Sequence, residues 1–239
     1  MSFETKKEIL VLDVDECLGN FATSSLMMTI YINYTIYTTH PPRGNTPVDE
    51  YYANMVYPYM DIFVKYLEQG MARPYLKEFI QKMYQLKLEG KIKKIVMYTA
   101  GTNKVGWITF LSKLIPTYAG VPFDFYDVIL TRNNCIFRGN KYIKHLKFVN
   151  DDTSKIVMID DLPRQIISID GLIIPISKYS KHVSLLDHNF MHYIQEQYHK
   201  EFINAIKYDE QLYPIDTETD YNSDNELLVI MEQLIQLFN

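Results

Sequence analysis

EILVLDVDECLGN, residues 8–20, joins a short apolar run directly to two aspartates that are one residue apart. The run 9–12 has the length and composition of a buried strand, and Asp13 and Asp15 follow it at once. Burying one carboxylate is costly, and two neighbouring carboxylates repel each other. The stretch therefore predicts a strand that ends at a site where two like charges are compensated.

Apolar runs of strand length recur along the chain and alternate with helical patterns. They lie at 9–13, 95–99, 128–131, 156–160 and 172–176. Apolar residues with a spacing near 3.6 predict helices over 74–90 and over 103–115, the second followed by Pro116. This alternation predicts an α/β fold with a doubly wound parallel sheet, whose ligands bind at the carboxyl ends of the strands.

Two regions interrupt the alternation. Residues 19–70 contain a run at 27–37 that is rich in β-branched and aromatic residues, which predicts a small β-containing insert or cap with a helix near 60–69. Residues 179–222 predict a helix around 184–207 and then a solvated acidic stretch. We therefore expect a catalytic core formed by 1–18 and 71–178.

A C-terminal helical elaboration completes the predicted architecture. Residues 225–238 have the pattern of an amphipathic helix, with Asp224 or Ser223 as its cap. We expect the segment 223–239 to pack on the core.

Composition narrows the functional classes. The chain has 239 residues, of which 47% are hydrophobic and 22% charged, with a net charge of −5 and two cysteines. This balance is typical of a globular protein without a strong nucleic-acid footprint. No apolar run approaches the length of a membrane span, and the N-terminus lacks the apolar stretch of a signal peptide. We expect an intracellular protein, cytoplasmic or nuclear, with no membrane partner.

Polar residues follow three of the predicted strands. Asp13 and Asp15 follow the first, Thr99 the second, and Asp160 and Asp161 the fourth. Because the carboxyl ends of parallel strands share one edge, these groups are expected to converge. Four carboxylates need a cation, and Mg²⁺ prefers carboxylate oxygens, water and phosphate. A lysine would neutralise further charge, and Lys141, Lys144, Lys147 and Lys155 are all candidates by position.

Several motifs together resemble a known family. LDVDECLGN, MYTAGT, a following lysine and MIDDLP are similar to the four motifs of the haloacid dehalogenase (HAD) superfamily. RPYLKEFIQKM, RNNCIFRGNKYIKHL and NELLVIMEQLIQL narrow the resemblance to the small C-terminal-domain phosphatases, also called NLI-interacting-factor-like phosphatases. That resemblance implies removal of phosphate from serine or threonine, as on the tail of RNA polymerase II. It also selects Lys144 as the catalytic lysine.

The resemblance implies a role for each acidic residue. Asp13 would be the nucleophile that forms an aspartyl phosphate, and Asp15 would be the general acid and base. Asp13, the backbone carbonyl of Asp15, and Asp160 would bind Mg²⁺. Asp161 would assist the ion indirectly or through water.

The resemblance also implies the groups that hold the phosphoryl group. Thr99 and Lys144 would bind and neutralise it, and substrate contacts would come from Thr99, Ala100, Gly101 and Arg132. Cys17 departs from the family pattern, which usually has threonine or valine at this position.

Three functions remain open. A phosphoprotein substrate is favoured, and the alternative with the same chemistry is a nucleotide, a polynucleotide end or a small phosphorylated metabolite. An open and shallow site would favour a phosphopeptide, whereas a closed cap would favour a small molecule. A catalytically inactive binding module is disfavoured because all the expected catalytic groups are present.

Overall fold

The fold is a parallel five-stranded sheet whose strands lie in the order Val128–Leu130, Lys94–Tyr98, Ile9–Leu12, Ile156–Asp160 and Leu172–Pro175. The computed structural model describes residues 6–32 except 23, 27, 30 and 31, together with 48–181 and 221–239. The strands of this sheet are β1 (Ile9–Leu12), β2 (Lys94–Tyr98), β3 (Val128–Leu130), β6 (Ile156–Asp160) and β8 (Leu172–Pro175). They are the five strands that the sequence predicts, so the α/β fold class is confirmed.

The central strand β1 sets the register at the edge where the aspartates lie. Leu12 is opposite Met97 of β2 and opposite Ile159 of β6. Leu10 and Leu12 pack into the larger apolar cluster with the helices, whereas Ile9 and Val11 pack into a smaller cluster on the other face. Because all four residues of β1 are buried, the residues that follow the strand are fixed by a core on both faces.

Five complete helices accompany the sheet in the described part of the chain. They are α1 (Val48–Val56), α2 (Met60–Tyr66), α3 (Leu76–Leu88), α4 (Trp107–Ala119) and α5 (Glu226–Phe238). The helix α4 continues beyond the predicted end near 115 and contains Pro116. It ends where Gly120 adopts a φ of 71°, a left-handed conformation that favours glycine. None of the described helices is both long and apolar enough to cross a membrane.

A second sheet of three short strands carries the predicted catalytic lysine. It consists of β4 (Ile136–Arg138), β5 (Lys141–His145) and β7 (Ile166–Ile167). Gly139 and Asn140 have φ values of 58° and 59°, the backbone of a tight hairpin turn between β4 and β5. The pairing of Lys144 with Ile166 then places β5 beside the loop that follows β6.

The segment that follows the aspartate loop is helical where the structure describes it, and the β character predicted for 27–37 is wrong at the described positions 28, 29 and 32. The described residues between 22 and 32 are helical, and all of 33–47 lies outside the described residues. Met28 and Ile32 are both buried and lie four residues apart, one turn of a helix. Burial of one helical face therefore overrides the β propensity of this run. The helix predicted near 60–69 is α2, continued by a wider turn at Leu67–Met71.

The C-terminal helix begins one residue later than predicted. The N-cap is Asn225 and not the predicted Asp224 or Ser223, although Asp224 Oδ1 accepts a hydrogen bond of 3.1 Å from the backbone N–H of Glu226. The buried side chains of α5 join the larger apolar cluster, and they are Leu227, Ile230, Leu234 and Phe238. The predicted helix around 184–207 and nearly all of the acidic stretch lie outside the described residues.

Candidate active site

A cavity of about 130 Å³ lies at the carboxyl ends of β1, β2 and β6. Its lining contains every site residue predicted from the sequence except Arg132. The lining residues are Asp13, Asp15, Glu16, Thr99, Ala100, Gly101, Tyr142, Lys144, Asp160, Asp161, Leu162 and Gln165. The register of the parallel strands therefore brings together aspartates that are far apart in the sequence, such as Asp13 and Asp161.

Lys144 forms a buried ion-pair bridge between the first and fourth motifs. Its Nζ lies 2.7 Å from Asp13 Oδ1 and 2.6 Å from Asp160 Oδ2, and the three residues are 5%, 6% and 1% exposed, respectively. Burial acts to lower the pKa of Lys144, but the two carboxylates outweigh it and raise that pKa above its usual value. Lys144 is therefore a permanently charged group at the floor of the cavity.

Asp160 has both carboxylate oxygens occupied. Oδ2 accepts from Lys144, and Oδ1 accepts a hydrogen bond of 2.7 Å from the backbone N–H of Leu162. Burial raises the pKa of Asp160 even though Lys144 opposes the shift. This carboxylate serves as the anchor of the lysine in the observed geometry.

Asp15 lies on the opposite side of the cavity and contacts Thr99. Thr99 Oγ1 donates to Asp15 Oδ2 at 3.3 Å and accepts from the backbone N–H of Gly101 at 2.9 Å. Burial and the charge of Asp13 raise the pKa of Asp15 to about 6, against the effect of the Thr99 hydrogen bond. A carboxyl group with this pKa can both give and take a proton near neutral pH.

Cys17 occupies the space between Asp13 and Asp161. Its Sγ accepts a hydrogen bond of 3.1 Å from the backbone N–H of Asp161. It also lies 3.6 Å from Asp13 Oδ2 and 3.5 Å from Asp161 Oδ1, and can donate its proton to either. Burial raises the pKa of the Cys17 thiol well above its usual value, so it stays protonated in this geometry.

The donor set of the cavity suits a hard divalent cation. Four aspartates line it, Lys144 is its only lysine or arginine among the described residues, and burial raises the pKa of Asp13, Asp160 and Asp161. Ligand atoms of Asp13, Cys17 and Asp161 all lie within 4.8 Å of one another. Asp160 is engaged by Lys144 and by the backbone N–H of Leu162, so Asp161 is a candidate carboxylate ligand of such a cation beside the predicted Asp160.

Arg132 lies outside the cavity and contacts two of the residues that line it. Its Nε donates to the carbonyl of Ala100 at 2.7 Å, and its guanidinium lies 4.5 Å from the centre of the Tyr142 ring. Arg132 therefore supports both Ala100 and Tyr142 and does not itself line the cavity.

Four lining residues were not predicted as site residues, and they are Glu16, Tyr142, Leu162 and Gln165. Tyr142 could have been found, because it lies two residues before Lys144 and therefore on the same face of a strand. Leu162 and Gln165 come from the loop after β6, whose path no sequence pattern specifies.

Comparison with known proteins adds one strong match and several weak ones. The profile of the family described as NLI interacting factor-like phosphatase matches residues 8–200. No curated protein matches the chain significantly.

Three solved structures are similar at low identity. CbbY from Rhodobacter sphaeroides in complex with phosphate is 15% identical, with a TM-score of 0.35, over 77% of this chain and 92% of that one. The putative HAD-hydrolase YfnB from Bacillus subtilis, bound to magnesium, is 13% identical, with a TM-score of 0.31, over 65% and 80%. Phosphoserine phosphatase from T. onnurineus is 16% identical, with a TM-score of 0.27, over 66% and 77%. These low TM-scores mean that none of the three supplies a substrate for this chain.

Proposed function

This chain belongs to the NLI interacting factor-like phosphatase family, and on that premise we propose that it removes phosphate from serine and threonine side chains of proteins. The family predicted from the sequence is thereby confirmed, and with it the phosphatase class. One observation carries the finer proposal. Asp13, Asp15, Thr99 and Lys144 converge on a cavity of about 130 Å³ between the described residues, which has room for a phosphoryl group.

Asp13 is the proposed nucleophile. A carboxylate oxygen of Asp13 attacks phosphorus, the bond from phosphorus to the ester oxygen breaks, and an aspartyl phosphate forms. Asp15 gives its proton to the departing alkoxide. Its raised pKa, about 6, leaves a usable fraction protonated near neutral pH.

The second half of the reaction returns the enzyme to its starting state. Asp15, now a carboxylate, takes a proton from a water molecule that attacks the phosphorus of the aspartyl phosphate. The bond between phosphorus and the Asp13 oxygen breaks, and inorganic phosphate leaves. Thr99 Oγ1, which lies 3.3 Å from Asp15 Oδ2, orients the acid, and Lys144 offsets the charge of the phosphoryl oxygens.

A divalent cation, with Mg²⁺ as the proposed one, would screen the repulsion between the Asp13 carboxylate and the phosphate dianion. Asp13, Asp161 and the backbone carbonyl of Asp15 are the groups proposed to hold it. Asp160 keeps Lys144 in place beside this site.

The size of the cavity supports a phosphate presented on a large substrate. Pockets that enclose a whole drug-sized ligand typically have volumes of about 300–1,000 Å³. The cavity here measures about 130 Å³ between the described residues, and the exposed side chain of Leu162 is part of its lining. A phosphoserine side chain can enter such a site while its main chain stays outside.

The deciding experiment compares two substrate panels under identical conditions. Phosphoserine and phosphothreonine peptides, including repeats of the polymerase tail, are assayed beside nucleotides, polynucleotide ends and small phosphorylated metabolites. We expect kcat/KM to be at least about tenfold higher for the best peptide than for the best small phosphate. A higher kcat/KM for a nucleotide or metabolite would overturn the protein substrate and leave the phosphatase chemistry in place.

A further inference from the structure

Three consecutive carbonyl groups of the loop after Asp15 are held by residues from outside the loop. The backbone N–H of Tyr179 donates to the Glu16 carbonyl at 2.7 Å. Arg73 holds the next two, since its Nη1 donates to the Cys17 carbonyl at 3.3 Å and its backbone N–H to the Leu18 carbonyl at 3.0 Å. Arg73 therefore provides two of the three hydrogen bonds that hold the loop after Asp15 in place.

The Arg73 guanidinium is itself held by two other segments. The side chain is 1% exposed, and Nη1 and Nη2 donate to the carbonyl and hydroxyl oxygens of Ser177 at 2.8 and 3.1 Å. Nε pairs with Asp224 Oδ2 at 2.9 Å without hydrogen-bond geometry, and Nη2 lies 3.4 Å from Glu226 Oε2. Glu226 is the first residue of α5 and Asp224 lies two residues before it, so the start of the C-terminal helix supplies the charge that balances this buried cation.

We propose that Arg73 is a positioning residue that couples the beginning of α5 to the geometry of the Asp13 and Asp15 loop. This inference rests on the proposed function, because Asp15 is assigned there as the acid and its carbonyl as a ligand. The side chain does not line the catalytic cavity. It acts through the carbonyl of Cys17, two residues beyond Asp15.

The loop requires such external support because its own backbone is unfavourable. Glu16 has a φ of 64°, a left-handed conformation that side-chain-bearing residues rarely adopt. Gly19 packs so tightly that a Cβ there would lie 2.5 Å from the carbonyl oxygen of Met71. A loop held in a rare conformation relaxes when its external contacts are lost, and small displacements of catalytic groups reduce turnover strongly.

The geometry requires the planar fork of arginine as well as its charge. One guanidinium reaches the Cys17 carbonyl, Ser177 and the two acids of α5 from a single position. A lysine at position 73 would keep the positive charge but could not bridge these directions at once. Arg73→Lys therefore tests positioning with the buried charge retained.

The experiment measures loop protection and kinetics on the full chain. Amide hydrogen exchange of residues 14–20 reports on the loop directly, since the N–H groups of Glu16, Leu18 and Asn20 are hydrogen-bonded in this structure. We expect Arg73→Lys to speed the exchange of residues 14–20 on the order of tenfold and to lower kcat on the order of tenfold, with little change in KM. These changes correspond to the loss of about one net hydrogen bond. The double variant Asp224→Ala with Glu226→Ala should also speed loop exchange and lower kcat, although neither residue lines the cavity.

Leu234→Ala is the matched control, because Leu234 is buried in α5 away from the guanidinium. It should lower the melting temperature while leaving loop exchange and kcat close to the wild type. The proposal is overturned if the double variant leaves loop exchange unchanged, or if Leu234→Ala changes exchange and kcat as much as Arg73→Lys does. Absence of phosphatase activity in the wild type would overturn the proposed function instead, and the exchange measurement would still decide the coupling.

Discussion

The ammonium nitrogen of Lys144 lies 2.7 Å from Asp13 Oδ1, with both side chains almost fully buried. This pair joins the central strand of the large sheet to the hairpin of the small sheet. Because Asp160 holds the same ammonium from the other side, the lysine offsets the charge of both buried carboxylates, including that of the proposed nucleophile. Removing it leaves two carboxylates buried without their partner.

Lys144→Met should therefore abolish turnover and destabilise the protein. We expect the free energy of unfolding to fall by about 3 kcal/mol, since loss of one partner leaves uncompensated buried charge. Urea denaturation and an aryl phosphate assay measure the two effects. Lys147→Met, at an exposed lysine three residues away, is the control and should change neither. Wild-type turnover in Lys144→Met would contradict the role of this residue.

Asp15→Asn should slow phosphoserine hydrolysis much more than hydrolysis of an aryl phosphate. An alkoxide leaving group needs a proton from Asp15, whereas a phenolate leaves readily without one, and general acid catalysis typically contributes about 10²–10⁴-fold. The ratio of kcat/KM for the two substrates measures the difference. Equal losses on both substrates would argue against Asp15 as the acid.

Asp161→Ala and Asp160→Ala should separate metal binding from lysine anchoring. Calorimetric titration with Mg²⁺ should show that Asp161→Ala weakens binding more, because Asp161 faces Asp13 and the oxygens of Asp160 are already engaged. Asp160→Ala should cause the larger loss of stability in denaturation, since it leaves Lys144 with one partner fewer. The reverse order of Mg²⁺ affinities would restore Asp160 as the ligand.

Much of this site could be predicted from sequence because strand ends in a parallel sheet converge whatever the loops do. Asp13, Thr99 and Asp160 each sit at or just after the end of a strand that the apolar pattern revealed. Which of the adjacent residues Asp160 and Asp161 pairs with Lys144 could not be predicted. That choice is made by the path of the loop at Leu162.

The region after β1 shows the opposite case. Its β-branched and aromatic residues indicate strands by propensity, yet Met28 and Ile32 are buried along one side of a helix. The contacts that decide between helix and strand in this segment come from elsewhere in the fold, so local propensity does not predict them. The cluster around Arg73 is hidden for the same reason, because Ser177, Asp224 and Glu226 lie more than 100 residues away from it in the sequence.

Stability should depend on pH through Glu226. Burial acts to raise the pKa of Glu226, but the hydrogen bonds from Ser177 and the charge of Arg73 outweigh it and hold that pKa below its usual value. A carboxylate whose pKa is depressed by folding contributes stability that is complete above the unfolded pKa, about 4.3, and is lost as the pH falls through the folded value.

Glu226→Gln should remove this contribution. Melting temperatures of the wild type and of the variant should differ most above about pH 5 and converge as the pH falls toward about 3. A constant difference across this range would show that Glu226 does not change its ionisation on folding.

The most direct measurement is to trap the phosphoenzyme. The protein is mixed with substrate and Mg²⁺, quenched in acid and reduced with borohydride, which converts an aspartyl phosphate to homoserine. Peptide mass spectrometry should then find homoserine at position 13 in the wild type and none in Asp13→Asn, which should also lack phosphatase activity. Phosphate hydrolysis by Asp13→Asn, or homoserine at another aspartate, would contradict the account.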